Sequence, residues 1–335
     1  MCGKQPALPT GIPAGVPASV RIMNLLTRSI PCLAIAATAL FSSIAPVSAA
    51  PEHPVKPMLW KVEGPGLEKP SYLFGTIHVG DKAVTTLHPA AEKAFEASTM
   101  LHTEAAMDMK SQMASMKDMM RDDGKQLGAS IGEELSKRLD AELKHINPEL
   151  DAVPFQVMKT WLVAYMLPFL PEQIKGIKPL DMVLWERAEK DKKKTAGMQE
   201  SKDQVKGFNQ LTEEEQITLL RATIDSLEKD RRDGRNRMKE GAEIYVAGDL
   251  DKLTKFAEES MAEIMGGKDA PLAKKLLESI LKDRDVIMAD YIDANLKKEA
   301  AEVHFFAAGA GHYASADGVP SMLEKKGYKV TRIEE

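Results

Sequence analysis

The residue types best suited to chemistry in this chain stand in two matching runs, Gly75-Thr76-Ile77-His78 and Gly309-Ala310-Gly311-His312. In each, a glycine lets the backbone turn and allows a ligand to approach closely, and an imidazole follows three positions later. Two imidazoles meeting at one mouth can ligate a metal or act as an acid and base pair. Leu101-His102-Thr103-Glu104 adds a carboxylate at the end of another apolar run. Two histidines and a glutamate make a three-ligand set that leaves a position open for water, and a bound cation brings the pKa of that water towards ~7, so that hydroxide can attack a carbonyl. Taken alone, G-x-x-H also fits two hydrogen-bonded loop histidines. His102 is read as structural, pointing to the opposite face from Glu104. His53, His88, His145 and His304 fall in a linker, a loop, a helix and a strand start, none with a partner at useful spacing.

These residues need elements to place them. From Met58 to about Ala105 the sequence reads as strands and turns: Met58 to Val62, a Gly64-Pro65-Gly66 turn, Ser71 to Phe74 running into Gly75, a helix from Pro89 to Ala97, and a strand near Thr99 to Thr103. From about 107 to 298 nearly everything has helical period. Thr212 with Glu215 forms a capping box, followed by Ile217, Leu220, Ile224 and Leu227 on one face, and Leu135, Leu139, Leu143 and Ile146 repeat the pattern earlier. Prolines at 148, 154, 168, 171 and 179 divide this stretch into several packed helices. From Glu302 the strand pattern returns: Val303 to Ala308 is apolar, Asp317 caps a helix through Lys326, Gly327 ends it, and Tyr328 to Ile333 alternates. The expected fold is therefore α/β and helix-rich, a mixed sheet built from N- and C-terminal strand-helix-strand units with a large central helical insertion at about 107–298. Both G-x-x-H runs then sit at the carboxyl ends of strands, where open α/β sheets bind ligands.

Leu59-Trp60-Lys61-Val62 followed by Tyr72 to Gly80, and Gly309-Ala310-Gly311-His312-Tyr313 through Asp317-Gly318-Val319-Pro320 to Leu323 and Gly327-Tyr328, resemble the opening and closing signatures of the TraB/GumN family. Lys159-Thr160-Trp161, Asp181 through Leu184 and Ala188, and Glu214-Glu215-Gln216 resemble its intermediate features more loosely. The family includes the TIKI divalent-metal-dependent proteases and is similar in its core to the erythromycin-esterase and ChaN groups. The resemblance implies a single domain over 50–335, with the motif histidines falling on His78 and His312 and the acidic residue after the second strand on Glu104. A further family glutamate falls on Gln199 or Glu200. The family's Arg-Asn pair becomes Arg284-Asp285, whose arginine can bind a substrate carboxylate or a developing oxyanion, or form an ordinary salt bridge. Tyr313 either donates to an oxyanion or packs. The residues expected to be catalytic are thus His78, Glu104, His312, Glu200 and Arg284, with His78, Glu104 and His312 holding a divalent metal ion such as Mn, Zn or Co. The expected function is that of an exported metal-dependent hydrolase, a peptidase above all.

Export is read from residues 1–49. Met23 to Ala49 has a basic start at Arg28, an apolar run from Ile30 to Ile44 and small residues at Val47-Ser48-Ala49, the three parts of a cleavable signal peptide. Met23 is an alternative start, since the 22 residues before it are rich in Pro and Gly. The apolar run is shorter than the ~20 residues that span a bilayer, so no stable membrane anchor is expected. The mature chain is expected to be periplasmic or secreted. Both cysteines, Cys2 and Cys32, lie in the removed part, which excludes disulfides and thiolate chemistry from the remainder. Removal also takes away Lys4, Arg21 and Arg28 and no acid, moving the formal net charge from −5 to about −8. An acidic surface argues against nucleic acid as a partner and leaves a peptide or small-molecule substrate.

Two other classes of function stay open. Two histidines can ligate haem axially, in a protein that binds haem or a peptide and does no chemistry. Hydrolysis without metal, one histidine acting as base beside Glu104, is what the likeness to erythromycin esterases implies. Met109, Met113, Met116 and Met120 also fall on one helical stripe, which is read as a packing face or an adaptable binding groove, with Cu(I) as the chemical alternative.

Overall fold

The computed structural model describes residues 51–264 and 270–335. The expected signal segment, with Met23, Cys2 and Cys32, lies outside the described residues.

Six strands form one mixed sheet: β1 (Leu59–Glu63), β2 (Ser71–Thr76), β3 (Met100–Ala105), β4 (Lys194–Gln199), β5 (His304–Gly309) and β6 (Lys329–Ile333), in the order β4-β3-β5-β2-β1-β6. The four strands β4, β3, β5 and β2 run parallel, while β1 pairs antiparallel with β2 and with β6. Parallel strands are covered on both faces and read as near-continuous apolar runs. Central β5 does so, with His304 through Ala308 buried. As expected, the first and last segments of the chain meet: Gly309 on β5 pairs with Thr76 on β2.

The central region is not helix alone. Lys194–Gln199 forms β4 and pairs with β3, Thr103 opposite Gly197 and Ala105 opposite Gln199. Its composition hid it, because an edge strand of Lys, Thr, Ala, Gly, Met and Gln carries one large apolar residue, Met198, and little apolar signal. Glycine is required at 197, where a Cβ would run into the backbone of Ala105 and Ala106.

The expected helical signals act as read. Thr212 and Glu215 form the reciprocal capping box at the start of the helix Glu213–Asp233. Leu135, Leu139 and Leu143 on the helix Leu127–Ile146 join Leu220 and Ile224 in a helical core separate from the sheet core. One cap differs: the helix Val319–Lys325 starts at Gly318 without a side-chain cap, and Asp317 instead accepts from the Ser315 hydroxyl at 2.6 Å. The methionine stripe differs too. Met109, Met113 and Met116 are 78, 67 and 54% exposed on the helix Met109–Met119, so the stripe is not a packing face. That helix, which follows β3, packs against the helix Ser201–Asn209, which follows β4.

Candidate functional site

All four parallel strands turn their carboxyl ends to the same edge of the sheet, and the candidate residues gather there. Glu104 sits near the end of β3. One carboxylate oxygen, Oε1, accepts from the backbone N–H of Gly309 at 2.6 Å, and the other, Oε2, accepts a short hydrogen bond from Nη2 of Arg284. A Cβ at Gly309 would stand 3.2 Å from Oε1 and 3.8 Å from the His312 ring, so the second motif's glycine makes room for the carboxylate. Burial alone would raise the Glu104 pKa. Arg284, then His312 and His78, then the Gly309 amide outweigh it and hold the group well below the usual carboxylate range. Glu104 is therefore an anion throughout the physiological range.

His312 follows β5 and is buried. Its Nδ1 lies 2.6 Å from Oδ1 of Asp285, and its Nε2 lies 3.9 Å from Oε1 of Glu104. Asp285 is buried as well, and that burial pushes its carboxyl up despite the hydrogen bond and charge of His312. His78, beyond β2, is placed in the same way. Its Nδ1 lies 3.1 Å from Oδ2 of Asp181, whose Oδ1 accepts from the Thr76 hydroxyl at 2.6 Å. Asp181 is buried in the first turn of the helix Leu180–Lys190, while the His78 ring is 46% exposed. Burial would lower the His78 pKa. Tyr165, the hydrogen bond and charge of Asp181, and the charge of Glu104 together hold it well above the usual imidazole value. Each histidine thus has Nδ1 tied to a buried carboxylate and Nε2 free of hydrogen bonds among the described residues.

Arg284 completes the arrangement. Its Nε donates to Oε1 of Gln199 at 2.9 Å, and Nε2 of Gln199 donates back to the Arg284 carbonyl at 3.2 Å. The structure therefore brings Glu104, His312 and Arg284 into direct contact and sets His78 within electrostatic reach of Glu104. Glu200 is not brought there. Its side chain is 72% exposed and pairs with Lys202 at 2.7 Å, because residue 199 ends β4 with its side chain buried while residue 200 lies past the strand, at the N-cap of the helix Ser201–Asn209. Of the two positions left open by sequence, Gln199 faces the site. Tyr313 packs rather than serving an oxyanion, its buried hydroxyl donating to the Phe306 carbonyl at 3.1 Å.

His102 does not point away from Glu104. Both lie beneath the helix Asp283–Lys298, where Arg284 meets Glu104 and Tyr291 lies 3.1 Å from Nδ1 of His102, as the two-residue period of a strand requires. His304, read as partnerless, lies with Nδ1 2.9 Å from Nε2 of His102, and both rings stack on Phe306. Asp181 was missed as a site residue: it is distant in sequence and is tied to the site only by the fold. The signal available was a lone acid between Leu180 and Met182-Val183-Leu184 on an otherwise buried helix face.

The donor chemistry suits a divalent cation, with two imidazoles whose second nitrogen is tied to a carboxylate and a carboxylate held ionised. As placed, no three His, Asp or Glu side chains converge tightly enough to hold an ion among the described residues.

The fold and site define an α/β protein with paired histidine–carboxylate dyads at the carboxyl ends of parallel strands. Residues 58–332 match the TraB/PrgY/gumN family, and the chain belongs to that family. Its curated relatives include the metalloprotease TIKI2 of Danio rerio, 25% identical over 310 residues, and the metalloprotease TIKI1 of the same species, 24% identical over 318 residues. These alignments cover 81 and 84% of this chain but 60 and 64% of the relatives, so the chain spans under two thirds of their length. A metalloprotease TIKI homologue of Nematostella vectensis is 23% identical over 325 residues, 84% of this chain and 68% of its own. No solved structure matches. Among the described residues, no helix is long and apolar enough to cross a membrane.

Proposed function

We propose that this protein is an exported, periplasmic or secreted metal-dependent hydrolase that cleaves peptide bonds, with His78, Glu104 and His312 holding a divalent cation such as Mn, Zn or Co. The observation that carries this reading is the pair of dyads, His78 with Asp181 and His312 with Asp285, flanking one ionised glutamate. When bound, such a cation supplies Lewis acidity and a nucleophilic hydroxide at neutral pH. Asp181 and Asp285 hold each ring through Nδ1, so that Nε2 is the nitrogen left to face a ligand. Arg284 keeps Glu104 ionised and fixed in direction, and Gln199 fixes Arg284. The metalloprotease names of the relatives favour a peptide as substrate. The test is hydrolysis of a mixed peptide library by residues 50–335: cleavage that is lost in chelator, restored by added metal and lost in His78→Ala supports the reading, and a His78→Ala protein with full activity would sink it.

One observation favours a second reading. Both oxygens of Glu104 are already engaged, by Gly309 and Arg284. His312, backed by Asp285, then has the arrangement of a general base that needs no metal. Full hydrolysis in chelator selects this alternative.

A further inference from the structure

Tyr165 stands 44% exposed on the helix Thr160–Met166, although Thr160 through Ala164 before it are buried. Its ring is held from two sides, 5.5 Å from Phe169 and 5.9 Å from Phe208. Phe208 stacks on buried Trp161 at 4.8 Å, and Phe169 meets the His78 ring edge-on at 6.5 Å. A row of aromatic rings therefore runs from the helical core to the first motif histidine, and it fixes the position of the one phenol on the row. Tyr245, Tyr291, Tyr313 and Tyr328 all engage their hydroxyls with protein groups. The Tyr165 hydroxyl makes no hydrogen bond among the described residues, and a single ring, Phe169, stands between Tyr165 and His78.

A rigid ring that carries a free O–H beside a reacting centre is suited to an oxygen that gains charge there, because the donor is in place without reorganisation. We propose that Tyr165 donates a hydrogen bond to the substrate carbonyl oxygen as it becomes negative during hydrolysis, with the proton remaining on the phenol. Tyr165 then fills the part for which sequence had offered Tyr313. The role rests on the hydrolase reading above.

The test compares wild type with Tyr165→Phe, which keeps the ring and removes only the donor. Affinities are measured by calorimetry for a tetrapeptide carrying a phosphonate in place of its central amide, a tetrahedral anion, and for the matching amide tetrapeptide. The variant is expected to bind the phosphonate roughly 10- to 100-fold more weakly, the weight of a hydrogen bond to a charged group, and to bind the amide peptide as wild type does. On any peptide that wild type cleaves, kcat falls while KM holds. If wild type binds both peptides and Tyr165→Phe binds the phosphonate equally well, the role of Tyr165 is overturned while the hydrolase reading stands. Wild-type protein that binds neither and cleaves nothing overturns both.

Discussion

Nδ1 of His312 lies 2.6 Å from Oδ1 of Asp285, the residue next to the arginine that grips Glu104. Two neighbouring positions at the start of one helix thus hold two candidate ligands, one through a carboxylate and one through a guanidinium. Asp181 does the equivalent for His78 from a different helix. The two candidate histidines are therefore held by carboxylates from two different helices.

Replacing either supporting carboxylate by its amide keeps a hydrogen-bond acceptor and removes the charge. Asp181→Asn and Asp285→Asn are each expected to weaken metal binding by roughly 10- to 100-fold. Competition with a chromophoric chelator measures this, and unchanged affinity in both variants would show that the dyads do not tune the ligands.

Arg284 is 11% exposed and its partner Glu104 12%, so the pair is largely removed from water. Arg284→Ala leaves a buried carboxylate without its main partner and is expected to cost about 3–5 kcal/mol of stability, read by denaturant unfolding. Glu104 has a depressed pKa, so its contribution is present above the unfolded value and lost as pH falls towards the folded one. The destabilisation should therefore be large at neutral pH and shrink in strong acid.

Gln199 and Glu200 are adjacent but face opposite ways. Glu200→Ala is expected to leave hydrolysis unchanged and stability within about 0.5 kcal/mol, whereas Gln199→Ala removes both hydrogen bonds to Arg284 and lowers hydrolysis. The reverse order would restore Glu200 as the functional position.

The buried His102–His304 pair makes a pH prediction of its own. Burial, and then the charge His304 would carry, lower the His102 pKa to about 3; burial also lowers that of His304. Between about pH 3 and the unfolded value near 6.5, the unfolded chain binds the proton that the folded chain refuses, so stability falls as pH falls. His102 alone should cost about 2 kcal/mol between pH 6.5 and 5. Urea unfolding at these two pH values, in wild type and His102→Gln, checks it: the variant should show the shallower dependence.

The two motifs were legible in the sequence because glycine and histidine at a strand end are local features, and the apolar runs of β2 and β5 are strong. The meeting of β2 with β5 followed from the likeness of the two chain ends. Three things were not legible. β4 is a polar edge strand inside a helical stretch; the exposure of Glu200 depended on where that strand ends and the next helix begins; and Asp181 becomes a partner of His78 only across a separation of 103 positions. The methionine stripe is the opposite case, a clear helical pattern read as a packing face or a binding groove, whose exposure at Met109, Met113 and Met116 removes the packing face, since periodicity reports a face and not what covers it.

The most direct test of the metal-dependent reading is the metal content of residues 50–335 after brief loading with Mn, Zn or Co, measured by elemental mass spectrometry beside His78→Ala and His312→Ala. Wild-type protein is expected to hold close to one ion per chain, and both variants to lose it. Wild-type protein that takes up no metal, or variants that retain it, would contradict the account.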